Sequence, residues 1–198
     1  MKKFSSIQEL ENWLFSIGVN TALWGINGAK SVDNLWAELI SGDAYLQSTP
    51  PMRIVSVVQV FIRRKNRLLI ETIQELSDGQ RRYRNQPPAE KIKHGEHYLE
   101  AASRGLFEEL GIKQGQVYYN SQSHFQRTLL SESPSYPGLL SQYTFHDIEA
   151  NVQGLPSGDF WHDNYSFAYG DPVKRHFWSW RLPEELNPTT TNLNTSII

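Results

Sequence analysis

The sequence contains no cysteine in 198 residues, which excludes disulfides, thiol nucleophiles and thiolate metal sites. It also lacks an excess of either charge. Nineteen lysines and arginines stand against 21 aspartates and glutamates, for a net charge of -2 and a pI near 6.3. No global basic field is available to attract nucleic acid. No apolar run is long enough to span a bilayer, and Met1-Lys2-Lys3-Phe4 leads into a polar helix rather than a signal core. The expectation is a cytoplasmic protein with neither a nucleic-acid nor a membrane partner. Several catalytic signatures are missing too. There is no G-x-S-x-G elbow and no phosphate loop ending in Gly-Lys-Ser/Thr. The six histidines show no H-E-x-x-H or other zinc spacing. No repeat of solenoid type occurs.

What is present centres on residues 95–112. Leu99, Ala102, Leu106 and Leu110 recur at helical spacing and predict one apolar helix face. Gly111 stands where a left-handed C-terminal cap is wanted, and Ile112 follows as the return to the core. Glu100, Arg104 and Glu108 are four apart and can form a line of ion pairs. Glu108 and Glu109 project from the flank between the two faces. Adjacent carboxylates on a rigid element can hold a hard divalent cation, and they equally suit a solvated acidic helix end.

The rest of the chain divides around this stretch. Ser6-Ile7-Gln8-Glu9 is a capping-box signature, and Ile7, Leu10, Leu14 and Ile17 mark the helix it starts. A second helix runs from Ser31 to Gly42. Trp13, Trp24 and Trp36 fit packing, or a surface for a protein partner or a second copy. Residues 1–50 therefore read as a helical extension, 51–186 as the main domain and 187–198 as a loose polar tail. Ile54 to Ile62 predicts a strand buried on both faces. Leu68 to Leu76 and Gln80 to Asn85 predict two more, joined by Ser77-Asp78-Gly79. By strand alternation Arg82 and Arg84 share a face. They suit a small phosphorylated ligand, or plain ion pairs with the acidic helix. Strands are also expected within Val117–Leu130, Leu139–Ile148 and Lys174–Leu182, with a rigid loop over Ser131–Gly138.

The segment from Pro88 to Ile112 resembles the Nudix box, whose pattern is G-x5-E-x7-R-E-U-x-E-E-x-G-U with U apolar. Glu96, Arg104, Leu106, Glu108, Glu109, Gly111 and Ile112 match at the required spacing. Two positions depart: Glu90 stands in place of the first glycine, and Gly105 in place of the first glutamate of the R-E pair. The resemblance implies an α/β/α sandwich on a mixed sheet. It implies hydrolysis of a nucleoside diphosphate linked to another group, with Mg²⁺ or Mn²⁺ as cofactor. Glu108 and Glu109 would then be catalytic metal ligands, and Glu90 would ligate through its backbone carbonyl. Arg104 would brace the glutamates, Glu96 would support the loop, and Arg82 and Arg84 would bind substrate. Asp147 or Glu149 could add a further acidic group. The glycine at 105 removes a carboxylate, which brings in a second reading: a Nudix-fold module that binds a ligand or a protein and hydrolyses nothing. The first reading leads to the expectation that Gly105→Glu would rebuild a depleted site.

Overall fold

The computed structural model describes residues 1–186, so the tail expected over 187–198 lies outside the described residues. Helix α1 (Ile7–Ser16) begins where the Ser6 hydroxyl accepts the Glu9 backbone N–H at 3.2 Å. The other half of the expected capping box goes one residue further back, because Glu9 accepts the backbone N–H of Ser5 at 2.7 Å. Helix α2 (Val32–Ser41) has a reciprocal Ser31–Asn34 box and ends at Gly42 in the left-handed region. Strands β1 (Tyr45–Ser48), β2 (Pro51–Arg64), β3 (Arg67–Leu76), β4 (Arg81–Gln86) and β5 (Ala89–Lys91) precede helix α3 (Tyr98–Leu110). Strands β6 (Val117–Ser133), β7 (Tyr136–Val152), β8 (Phe160–Asp163) and β9 (Val173–Arg181) follow, then a one-turn helix α4 (Pro183–Leu186).

The strands form a mixed sheet in the order β6-β7-β2-β3-β9-β8, with β1 and β5 also on β2 and β4 on β3. β2 runs parallel to β7 from the Arg53–Ser141 pair to Ile62–Ala150. Its neighbours β1, β3 and β5 are antiparallel to it. The apolar run of β2 is explained by burial of both faces. Val58, Val60 and Ile62 pack with Leu69, Ala101, Ala102, Leu106 and Leu110. Val55 and Val57 pack with Tyr143 and Phe145 on the other side. The result is an α/β fold of α/β/α-sandwich type, and Leu106, at 1% exposure, sits in the contact between α3 and the sheet. Among the described residues no helix is long and apolar enough to cross a membrane.

One expectation about the strands needs correction. Residues 131–138 are not a loop, since β6 and β7 run on through the segment and stay paired to Ser133–Tyr136. Tyr136 is fully buried there, its ring 5.0 Å from that of Trp24. Burial of these aromatics against the extension outweighs the local loop composition. The anchor of the extension is accordingly Trp24, whose Nε1 donates to the Pro137 carbonyl at 3.0 Å. Trp13 and Trp36 lie half-buried at the margin of the same cluster, which joins Leu10, Leu14, Leu35 and Leu46 to Tyr136 and Leu139. A buried charge network reinforces that contact. Arg53 Nη2 is 2.6 Å from Glu38 Oε2, and Lys30 and Lys91 reach the other oxygen at 2.6 and 3.1 Å.

Candidate functional site

Helix α3 is capped at its start by His97. His97 Nδ1 accepts the Leu99 N–H, and the Glu100 carboxylate accepts the His97 N–H at 2.9 Å. Glu100 is thus spent on the cap and does not extend a line of ion pairs through Arg104. Arg104 turns toward the preceding loop. Its Nε and Nη2 donate to the two oxygens of Glu96 at 3.0 Å each, a fork-to-fork arrangement. Nη2 also donates to the Lys91 carbonyl at 2.8 Å. Nη1 lies 3.0 Å from Glu90 Oε1 and 3.9 Å from Glu108 Oε2. Glu96 completes the loop by accepting the Lys93 N–H at 2.9 Å. The spacing between Glu96 and Arg104 therefore has a local purpose: it clamps the loop to the second turn of the helix.

Glu109 differs from these partnered acids. Its carboxylate accepts no hydrogen bond from any described residue. Burial, then the negative charges of Glu71 and Glu90, push its pKa well above the usual carboxylate range, and Arg84 only partly offsets them. Burial also raises Glu90 and Glu108, each against the opposing pull of Arg104. Glu71 was not anticipated. It is a lone acid in the apolar run of β3, 5% exposed, with His176 Nδ1 at 2.5 Å and Arg84 Nε at 3.4 Å. A charged residue inside Leu68-Leu69-Ile70-Glu71 was the available signal, since an unpaired charge is costly in a buried strand. His176, from β9, had no comparable signal.

Arg84 thus stands at the acidic group, also donating to Gln86 at 2.6 Å. Arg82 lies one step along the same face, where its guanidinium donates to Gln74. Arg81 leaves that face and stands over the Trp161 ring at 5.7 Å. Asp147 and Glu149 are engaged elsewhere, by Arg127 at 3.0 Å and Arg63 at 2.8 Å. A cavity of about 310 Å³ opens at the start of α3. It is lined by Asp43, Lys93, His94, His97, Tyr98 and His146 among others, and so lies at the opposite end of the helix from Glu108 and Glu109.

The two departures from the box meet in space. A Cβ built on Gly105 would stand 2.8 Å from Glu90 Cβ, 3.1 Å from its Cγ and 3.3 Å from Oε2. The volume beside Gly105 is occupied, so Gly105→Glu alone would clash rather than fill a vacancy. Glu90 itself is unstrained, since it belongs to β5 and is not among the residues with positive φ.

A hard divalent cation suits this donor set chemically. Glu71 and Glu90 both press their negative charge on Glu109, and only Arg84 opposes them. Among the described residues no three acidic or imidazole groups already converge as a cation site. Arg104 holds Glu90, Glu96 and Glu108 in its own network.

No curated protein matches the chain. Several solved structures are similar at low identity. A Caenorhabditis elegans Ap4A hydrolase binary complex is 18% identical over 66% of this chain and 82% of its own, with a TM-score of 0.39. The Escherichia coli ORF135 protein is 18% identical over 68% and 78%, with a TM-score of 0.39. A Nudix hydrolase from Nitrosomonas europaea is 15% identical over 67% and 74%, with a TM-score of 0.41. Nothing about chemistry rests on these likenesses. The family model described as NUDIX domain, however, matches residues 51–194. That span takes in β2, the clamp of Arg104 on Glu96 and the acidic end of α3, and by it the chain belongs to the Nudix superfamily.

Proposed function

We propose that the protein hydrolyses a small nucleoside-diphosphate-linked compound with Mg²⁺ or Mn²⁺. The observation that carries this reading is the unpartnered Glu109 carboxylate, crowded by Glu71 and Glu90 and faced by Arg84. Such an excess of negative charge is what a divalent cation relieves. When bound, the cation would neutralise pyrophosphate charge and activate water. Glu109, Glu108 and Glu90 are the candidate ligands. Arg104 and Glu96 hold the loop and helix in register, which fixes where those carboxylates can reach. Arg84 and Arg82 offer guanidinium groups to phosphate oxygens from the neighbouring strand. Residues 51–186 would carry the site and residues 1–50 would support it from outside.

A second reading is favoured by one observation. Arg104 already engages three carboxylates, and no ready cation site exists among the described residues. On that reading the protein is a non-hydrolysing Nudix module that binds a phosphorylated ligand or a protein. A hydrolysis screen with Mg²⁺ and Mn²⁺ separates the two. The substrates are nucleotide sugars, dinucleotides, ADP-ribose and nucleoside triphosphates, each run beside Glu109→Gln. Turnover by the parent that Glu109→Gln abolishes is the expected result. Absence of turnover with every substrate would leave the second reading standing alone.

A further inference from the structure

The sequence departs from the box at Glu90 and at Gly105, and the fold brings these two residues into contact. Glycine in the interior of a helix is destabilising relative to alanine, so its presence in the middle of α3 calls for a reason. The reason here is close approach. The Glu90 side chain crosses α3 directly over Gly105, with Cβ, Cγ and Oε2 all within 3.3 Å of where a Cβ at 105 would stand. The nearest of these atoms is Glu90 Cβ at 2.8 Å, which is tied to the β5 backbone and cannot swing aside. A side chain at 105 and a glutamate at 90 therefore exclude each other.

The carboxylate that crosses over Gly105 does not leave the acidic region. Glu90 Oε1 is 3.0 Å from Arg104 Nη1, and its charge acts directly on Glu109. We infer that Glu90 and Gly105 form a single exchange, in which the acidic ligand is delivered by the side chain of β5 instead of by the helix. This inference rests on the divalent-cation reading above and replaces the backbone carbonyl of Glu90 with its carboxylate. The simpler alternative is that Glu90 serves Arg104 alone, as a structural ion pair.

Mn²⁺ binding to the substrate-free full-length protein, measured by titration calorimetry, separates these cases, with thermal melting run on every variant. Glu90→Gln keeps the shape over Gly105 and removes the charge. It should weaken Mn²⁺ binding by at least about tenfold. Glu90→Gly/Gly105→Glu returns the carboxylate to the helix and should bind Mn²⁺ within about tenfold of the parent. Gly105→Glu alone should melt lower than the parent. If the parent binds Mn²⁺, Glu109→Gln loses it and Glu90→Gln binds as the parent does, the exchange is wrong while the cation reading stands. A folded double variant that fails to bind also overturns the exchange. If the parent binds no Mn²⁺, both readings fall. Should the double variant not fold, Glu90→Gln decides by itself.

Discussion

At position 105 two local effects oppose each other, and their sizes decide the outcome of a substitution. Gly105→Ala gains helix propensity of about 1 kcal/mol. It also drives a methyl group to 2.8 Å from Glu90 Cβ, inside a contact between α3 and β5 that cannot open freely. Overpacking of this kind typically costs about 1–3 kcal/mol, so the variant should be less stable than the parent. Pairing it with Glu90→Gly removes the obstructing atoms. The double-mutant cycle, read by chemical denaturation, should then return a favourable coupling of about 1 kcal/mol or more. Additive single effects would show that the two side chains do not compete for this volume. Glu38 makes the second argument at this scale. Burial works to raise its pKa, but Arg53, Lys91 and Lys30 together hold it well below the usual carboxylate range. A depressed acid contributes stability above its unfolded value, 4.5 on the ordinary scale, and loses it as pH falls below that. Glu38→Gln leaves Arg53, 1% exposed, without its counter-charge, and should cost about 3–5 kcal/mol at neutral pH. The gap between parent and variant should close by about 1.4 kcal/mol per pH unit as pH drops below the unfolded value. Denaturation curves across that range check the slope, and a gap independent of pH would contradict the assignment.

Among the elements, α3 carries two separate jobs on two faces. Leu106 and Leu110 hold it to β2 and β3 through the apolar cluster. Arg104 holds it to the incoming loop through Glu96 and the Lys91 carbonyl. Planar guanidinium geometry is what the second job requires, because three acceptors in different directions are served at once. Arg104→Lys keeps the charge and loses the fork. Its ammonium cannot reproduce the paired contact with Glu96, so the loop over residues 91–97 should exchange amide hydrogen faster while the core of β2 stays protected. Hydrogen exchange resolved by segment tests this, and unchanged protection of the loop would argue that the charge alone suffices.

At the scale of the whole molecule the extension is part of the folded body. Leu10, Leu14, Trp24, Leu35 and Leu46 are buried together with Tyr136 and Leu139 from the tip of the β6–β7 hairpin. β1 adds a strand to β2 next to that contact. Deleting residues 1–48 would uncover Tyr136, remove β1 and strip Arg53 of Glu38 in one step. The truncated protein should melt well below the parent and associate through the newly exposed apolar surface. Calorimetry and size-exclusion chromatography measure the two effects, and unchanged melting and mass would refute the contribution of the extension.

The sequence alone determined those features whose cause lies within one turn or one strand. The apolar face of α3 follows from the spacing of Leu99, Ala102, Leu106 and Leu110, and the cap at Gly111 from a backbone conformation, φ 66, that glycine adopts without strain. The nearly unbroken Val and Ile run of β2 marked a strand covered on both sides, and the resemblance of residues 88–112 to the Nudix box implied the fold class. Only the tertiary structure decided the rest. Glu71 met His176 because β3 pairs with β9. The segment 131–138 became hairpin rather than loop because Trp24 and Tyr136 are buried together. Two departures from one motif turned out to be a single contact because β5 and α3 pack side by side. Local periodicity records which face of an element is buried, whereas the partner across that face is chosen by packing between segments distant in the chain.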